Sequence, residues 1–215
     1  MNSLVADARS TNRLNRLHEA GQAVWLDFLD RSFLAEGRLK RLIEQDGATG
    51  VTSNPSIFEK AMGHGDAYDA GFSALLGKGD AGVRQLYEDA AIADIRHAAD
   101  DLRPAYDRLN GRDGYVSLEV SPYLANDTAA TIAEARRLWQ AVDRPNLMIK
   151  VPGTAAGVPA IRQLVEDGLN INITLLFSID AYRLVAEAFI AGLEARLAKG
   201  ETVDRIASVA SFFVS

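Results

Sequence analysis

One lysine, Lys150, lies inside the apolar segment Leu-Met-Ile-Lys-Val-Pro at residues 147–152. Such a segment is typical of a buried strand, and a lysine is seldom fully buried without a partner group. Apolar surroundings favour the neutral amine over the ammonium ion, and the neutral amine is the form that attacks a carbonyl carbon to give a Schiff base. The sequence therefore predicts aldolase-like chemistry at Lys150. A structural alternative is that this lysine pairs with a carboxylate or extends its ammonium group to solvent.

Polar residues also stand at or near the carboxyl ends of the other apolar segments. Asp27 and Glu119 are candidates for general acid–base catalysis. The hydroxyl and amide residues, taken singly, are typical of helix caps and turns. Their occurrence together with a lysine in a buried strand favours a common site. The full set is Lys150 with Asp27, Asn54, Glu119, Asn172, Thr174 and Ser211.

Short apolar runs alternate with segments of helical periodicity, which predicts an α/β fold. Repeated βα units are compatible with a (β/α) barrel or with an open doubly wound sheet. In a barrel, the carboxyl ends of the strands meet on the face where active sites form. We expect one domain over 1–215, with a helical insertion at 63–110. The predicted strands are 23–26, 50–52, 115–120, 147–151, 171–177 and 206–214, and the predicted helices are 35–45, 55–62, 81–99, 101–109, 128–141, 158–167 and 179–199.

Composition excludes several classes of function. The net charge of −6 is opposite to the basic character that nucleic-acid binding needs, so no nucleic-acid partner is expected. There is no cysteine, and the three histidines are scattered, so no metal site is predicted. Neither a dinucleotide-binding nor a phosphate-loop glycine motif follows any predicted strand. No apolar run reaches the length of a membrane span and no signal-peptide pattern is found, so we expect a cytoplasmic protein with no membrane partner.

Six motifs follow one another from about residue 22 onward, and together they resemble the transaldolase family of Schiff-base enzymes. The resemblance implies a (β/α)8 TIM-barrel fold of the class I aldolase type, truncated here after the sixth strand. The opening motif and the 63–110 segment are most similar to the longer bacterial transaldolases. The motifs are W-L-D (25–27), G-V-T-S-N-P-S (50–56), V-S-L-E-V (116–120), M-I-K-V-P (148–152), N-I-N-I-T-L-L-F-S (170–178) and A-S-F-F-V (210–214).

The resemblance also implies a role for each residue. Lys150 would attack the C2 carbonyl of fructose 6-phosphate or sedoheptulose 7-phosphate, substrates of the pentose phosphate pathway. Asp27 would take the C4 hydroxyl proton as the C3–C4 bond breaks, and Glu119 would move protons through a water held with Thr174. The resulting enamine would add to an aldose phosphate, with no cofactor or metal. The dihydroxyacetone part would be held by Asn54, Asn172 and Ser211.

Two features bear on which relative the chain resembles most. Phe213 stands near a position where related fructose-6-phosphate aldolases tend to have a tyrosine, so it favours transfer. The family's phosphate-binding arginine follows strand six, beyond this sequence, so we expect the barrel to be finished by a C-terminal segment or by a second copy in a homo-oligomer. Another class I Schiff-base aldolase, or an inactive truncated fragment, remains an alternative.

Overall fold

Helices and parallel strands alternate along the chain, as the sequence predicts. A computed structural model describes residues 12–77 and 82–214. The chain divides between Val116 and Ser117 into two compact units.

The first unit contains most of the helices that are not part of a regular strand–helix repeat. A 26-residue helix, Val83–Arg108, is the longest element described in it. In chain order the elements are α1 (Arg13–Glu19), β1 (Trp25–Leu26), α2 (Arg31–Ala35), α3 (Arg38–Arg41), a π-helical turn (Leu42–Asp46), β2 (Gly50–Thr52), α4 (Pro55–Gly63), α5 (Asp69–Leu76), α6 (Val83–Arg108) and the start of β3 (Tyr115–Glu119).

The second unit is a regular repetition of strand and helix. It begins with the remainder of β3. The elements that follow are a 3₁₀ turn (Pro122–Leu124), α7 (Thr128–Val142), β4 (Leu147–Pro152), α8 (Gly157–Glu166), β5 (Ile171–Leu176), α9 (Ile179–Ala198) and β6 (Ser208–Phe212).

The strands are hydrogen-bonded in chain order, from β1 to β6. Pairing is parallel between β4 and β5, where Lys150 is aligned with Asn172. All six residues of β4 are buried, as expected for a parallel strand covered on both faces. This arrangement confirms the predicted α/β fold of the (β/α)-barrel type, formed here by six strands.

Side-chain caps begin two of the helices, α4 and α7. The Asn54 side chain accepts a hydrogen bond from the Ile57 N–H at the start of α4, and Asp127 accepts one from Ala130 at the start of α7. Both therefore satisfy donors that a helix leaves unpaired at its first turn. Gly168 follows α8 with φ +94°, a conformation that side-chain-bearing residues seldom adopt.

The described part of the 63–110 segment contains α5 and α6, and its second half differs from the expectation. Two helices were predicted around residue 100, whereas α6 runs unbroken to Arg108 with Pro104 inside it. A proline removes one backbone hydrogen bond, and the buried row Ala98, Leu102 and Ala105 packs continuously across that point. Residue 81, where the first of these helices was predicted to begin, lies outside the described residues.

Asp101, on the buried side of α6, has a carboxyl oxygen that lacks a hydrogen-bond partner. Oδ2 is buried and makes no hydrogen bond among the described residues, and the imidazole of His97 is 4.0 Å from it. Burial raises the pKa of the Asp101 carboxyl, although the positive charges of His97 and Lys40 act in the opposite direction. The folded chain therefore binds a proton at Asp101 more readily than the unfolded chain does.

We expect Asp101→Asn to stabilise the protein at pH 7 but not in acid. With the carboxyl pKa raised on folding, the wild type loses stability as the pH rises through the folded-state value, whereas the amide does not titrate. The gain should disappear below the unfolded-state pKa of about 3.9. Urea unfolding of both proteins from pH 3 to 8 measures this, with the exposed Asp204→Asn as control. A gain that does not change with pH would contradict the prediction.

Candidate active site

The predicted nucleophile and one predicted acid–base residue form a buried ion pair. Lys150 is 7% exposed on β4, and its Nζ lies 3.2 Å from Oε2 of Glu119 at the end of β3, whose side chain is 15% exposed. The Val120 N–H donates to the carbonyl oxygen of Lys150 at 3.2 Å, which aligns the ends of the two strands. Pairing with a carboxylate is what the structural alternative for Lys150 predicts. The same carboxylate is also placed to accept a proton from Nζ.

This pair has a clear chemical capacity. Removing two charges from water is costly, and their mutual attraction offsets that cost only when the geometry is close. An ammonium ion cannot attack a carbonyl carbon, so a nucleophilic Lys150 must first give up a proton. The Glu119 carboxylate is within hydrogen-bond distance of Nζ, as a general base must be.

Next to the ion pair, three polar side chains are joined across three strands. Asn172 is fully buried and shares a face of the sheet with its register partner Lys150. Its Nδ2 donates to Ser117 Oγ at 3.0 Å, and its Oδ1 accepts from Ser211 Oγ at 2.8 Å. The amide orientation of Asn172 is therefore set by a hydroxyl on each side.

Ser117 was not among the predicted site residues. It is fully buried on β3, two residues before Glu119, and residues two apart in a strand point to the same face. That spacing was the available signal, because a serine in a buried strand two positions before a site carboxylate shares its surface.

Thr174 and Phe213 lie farther along β5 and just after β6. Thr174 is 3% exposed. It lies two residues after Asn172 on β5, so both side chains point to the same face of the sheet. Phe213 is about half exposed and stacks on Phe177, with ring centroids 5.4 Å apart. Phe177 is a second exposed aromatic residue at this edge that the sequence analysis did not single out.

Strand β5 changes direction directly after Thr174. Leu175 has φ +60°, in the left-handed region that is a genuine outlier for a bulky residue, and the register with β6 shifts between Ile173 and Leu176. This bulge bends β5 at its carboxyl end.

The loop that follows β4 is tied down on both sides. The Thr154 hydroxyl donates to the Ala125 carbonyl at 2.6 Å and accepts from the Gly157 N–H at 2.9 Å, while Thr128 donates to the carbonyl of Ala156 at 2.7 Å. A Cβ on Gly157 would overlap the carbonyl oxygen of Pro152. The loop beyond Lys150 is thus held in one conformation.

In the first unit, Asp27 and Asn54 line one pocket of about 460 Å³, together with Ser56 and Lys60. Asp27 follows β1, and its Oδ1 accepts a hydrogen bond from Thr52 Oγ1 at 2.5 Å. Asn54 uses its Oδ1 to cap α4 at 2.9 Å. Thr52 was not predicted from the sequence, because its contact with Asp27 links residues 25 positions apart.

Two observations apply to the described ranges, 12–77 and 82–214. Within them no three His, Asp or Glu side chains are grouped so that they could hold a metal ion. No helix in the same ranges is long and apolar enough to cross a membrane.

Comparison with known proteins gives consistent matches. The pattern of the family described as Transaldolase/Fructose-6-phosphate aldolase matches residues 24–215. A protein of Nostoc punctiforme named Transaldolase 2 is 50% identical over 206 residues, covering 96% of this chain and 54% of the relative. A protein of Thermobifida fusca named Transaldolase is 52% identical over 202 residues, covering 94% and 55%. Transaldolase 1 of Streptomyces coelicolor is 49% identical over 215 residues, covering 98% and 55%. The chain thus spans about half the length of these curated relatives.

The ion pair predicts strong energetic coupling between Lys150 and Glu119. Removing one partner of a buried pair costs about 3 to 5 kcal/mol, because the other charge stays buried. We expect Lys150→Met and Glu119→Gln each to lower the free energy of unfolding, and the double variant to lose less than the sum of the two. Denaturant unfolding of all four proteins measures this as a double-mutant cycle.

The exposed pair Arg183 and Glu187, 3.0 Å apart on α9, is the matched control for this cycle. Coupling in an exposed helical pair of this spacing is about 0.3 to 0.5 kcal/mol. If the coupling between Lys150 and Glu119 were no larger than this, the pair would not be acting as a buried one.

Proposed function

Since the chain belongs to the transaldolase/fructose-6-phosphate aldolase family, we propose that it transfers a dihydroxyacetone unit between sugar phosphates through a Schiff base on Lys150. The donor is a ketose phosphate, fructose 6-phosphate or sedoheptulose 7-phosphate, and the acceptor is an aldose phosphate. The observation that carries the proposal is the buried Lys150, with Nζ 3.2 Å from the Glu119 carboxylate. The pentose phosphate pathway and the cytoplasm are part of the same proposal and rest on the sequence resemblance.

The first step is the formation of the Schiff base. Glu119 takes a proton from the Lys150 ammonium, and the neutral amine adds to the C2 carbonyl of the ketose phosphate. Glu119, through a water held with Thr174, then gives this proton to the C2 oxygen and moves a second proton to it from the added nitrogen, so that the oxygen leaves as water. The product is a protonated Schiff base in which C2 is bonded to Nζ.

The second step is carbon–carbon cleavage. Asp27 takes the proton of the C4 hydroxyl, the C3–C4 bond breaks, and its electron pair forms the enamine between C3 and C2. The aldose phosphate departs with a new C4 aldehyde. A second aldose phosphate then accepts the enamine carbon at its aldehyde, Asp27 returns the proton to the new hydroxyl, and hydrolysis frees Lys150.

The three-carbon unit stays on the enzyme between these half-reactions and needs polar groups to hold its hydroxyls. We assign this to Asn172, Ser211 and Asn54. The buried hydrogen bond from Ser211 to Asn172 supports the first two, since it fixes the amide before substrate arrives. Asn54 borders the same pocket as Asp27.

The family description covers a second activity, aldol cleavage that releases dihydroxyacetone to water. Phe213 favours transfer, because its ring has no hydroxyl with which to orient a water or move a proton. The two activities differ in their need for an acceptor. Turnover of fructose 6-phosphate that requires an added aldose phosphate supports transfer, and equal turnover without one supports the aldolase.

The Schiff base itself can be trapped. We expect borohydride with fructose 6-phosphate to leave a reduced adduct on Lys150, detected by mass spectrometry of the peptide that contains it. Lys150→Arg should abolish the adduct, because a guanidinium stays protonated and is a poor nucleophile. Lys199→Arg, at an exposed lysine, is the matched control and should retain it. No adduct on a folded wild-type sample would overturn the proposal.

Asp27→Asn should separate the two steps. Without a base for the C4 hydroxyl, we expect transfer turnover to fall by about 10²- to 10⁴-fold. Trapping at Lys150 should remain near the wild-type level, since Schiff-base formation is assigned to Glu119. The measurements are steady-state transfer and single-turnover trapping. Equal losses in both would show that Asp27 does not act at the cleavage step.

A further inference from the structure

Asp27 lies in a segment that receives little support from the sheet. Strand β1 contains only Trp25 and Leu26, paired with Gly50 and Val51. Residues 27–30 are neither helix nor strand. The hydrogen bond from Thr52 holds the Asp27 carboxylate at one end of this segment, so something else must fix the other end.

The other end is fixed at Arg31, the first residue of α2. Its backbone N–H donates to the hydroxyl of Tyr68 at 3.2 Å, and its Nε donates to Asp94 Oδ1 at 2.9 Å. Its Nη2 reaches the Ala90 carbonyl at 3.2 Å, and the guanidinium carbon lies 4.2 Å from the centre of the Tyr68 ring. One residue is thus bound through its backbone, its charge and its planar face.

The hydrogen bonds of this cluster, Arg31, Tyr68 and Asp94, complement one another. The Tyr68 hydroxyl accepts from Arg31 and donates to Asp94 Oδ2 at 2.8 Å, so it serves as donor and acceptor at once. Tyr68 is 1% exposed, and burial together with the Asp94 charge raises the pKa of its hydroxyl well above the usual range. The hydroxyl therefore keeps its proton. The N–H of Arg31 is also one that a helix start leaves without an internal partner.

The cluster connects the Asp27 segment to α5 and α6. Tyr68 directly precedes α5 and Asp94 is on α6, whereas Arg31 is only four residues beyond Asp27. Between them Leu29 is fully buried and Asp30 caps α2 through Phe33 N–H. Residues 27–30 therefore span two fixed points, Thr52 at one end and the cluster at the other.

We propose that Tyr68, through its hydrogen bonds with Arg31 and Asp94, is a positioning residue for the Asp27 carboxylate. Tyr68 before α5 and Asp94 on α6 thereby hold Arg31, which lies outside these helices, in a fixed place. That Asp27 acts as a base rests on the proposed function. The positioning of its carboxylate does not.

The first test needs no activity. In protein labelled with ¹³C at the aspartate carboxyls, Thr52→Val identifies how the Asp27 signal moves when its hydrogen bond is lost. We expect Tyr68→Phe, which removes only the hydroxyl, to move the Asp27 signal in the same direction. Tyr106 is also a buried tyrosine, but it lies on α6. Tyr106→Phe is therefore the matched control and should leave the Asp27 signal in place. An Asp27 signal unmoved by Tyr68→Phe would overturn the proposal.

The second test separates positioning from general structural damage. We expect Tyr68→Phe to lower transfer turnover by about 10- to 100-fold, as small displacements of catalytic groups do. Trapping at Lys150 should stay within about twofold of the wild type, because the lysine itself is unchanged. Unchanged transfer would overturn the proposal, and so would an equal loss in trapping.

The two tests also distinguish this proposal from the proposed function. If wild-type protein gives no Lys150 adduct, the proposed function fails and the carboxyl signal alone decides the role of Tyr68. If Tyr68→Phe does not fold, Arg31→Lys is measured in the same way. That variant keeps the charge and the backbone N–H but loses the Nε bond to Asp94 and the Nη2 bond to Ala90, and it should move the Asp27 signal too.

Discussion

The second unit is arranged around one buried positive charge. Strand β4 is covered along its whole length, so the ammonium group of Lys150 has little access to water. An unpaired charge there would be prohibitive, and the neighbouring strand supplies Glu119 at 3.2 Å. The same demand applies to the uncharged groups beside it, since buried amides and hydroxyls need partners. Ser117, Asn172 and Ser211 meet that demand by bonding one another.

The two carboxylates assigned to catalysis are held by different physical means. Glu119 ends β3, so its backbone is fixed by the sheet. Asp27 follows a two-residue strand, and its place depends on side chains: the Thr52 hydroxyl at one end and the Arg31 cluster at the other. The backbone hydrogen bonds of a strand hold a residue at its end without further help. A residue in a loop has to be held by side chains from elsewhere in the chain. For Asp27, such neighbours include Tyr68 just before α5 and Asp94 on α6, which bind Arg31.

Local patterns in the sequence predicted what local forces decide. The strands 50–52 and 147–151 and the cap at Asn54 are confirmed because apolar runs and caps act over a few residues. The predicted helix 35–45 is instead broken at Gly37, whose φ of +65° separates α2 from α3. Thr52 and Tyr68 could not be found this way, since each matters through a partner 25 or more positions away. The sequence contains those partners but not their pairing.

The hydrogen bonds that hold the loop after β4 restrict which sequence changes this fold can accept. Thr154 ties the loop to Ala125, and Gly157 tolerates no side chain, so insertions or larger residues there would disturb the strand that carries the lysine. The edge formed by Phe177 and Phe213 is exposed, and its two rings contact each other by stacking. Substitutions are therefore easier to accommodate at the aromatic edge, whereas the β4 loop has to stay constant.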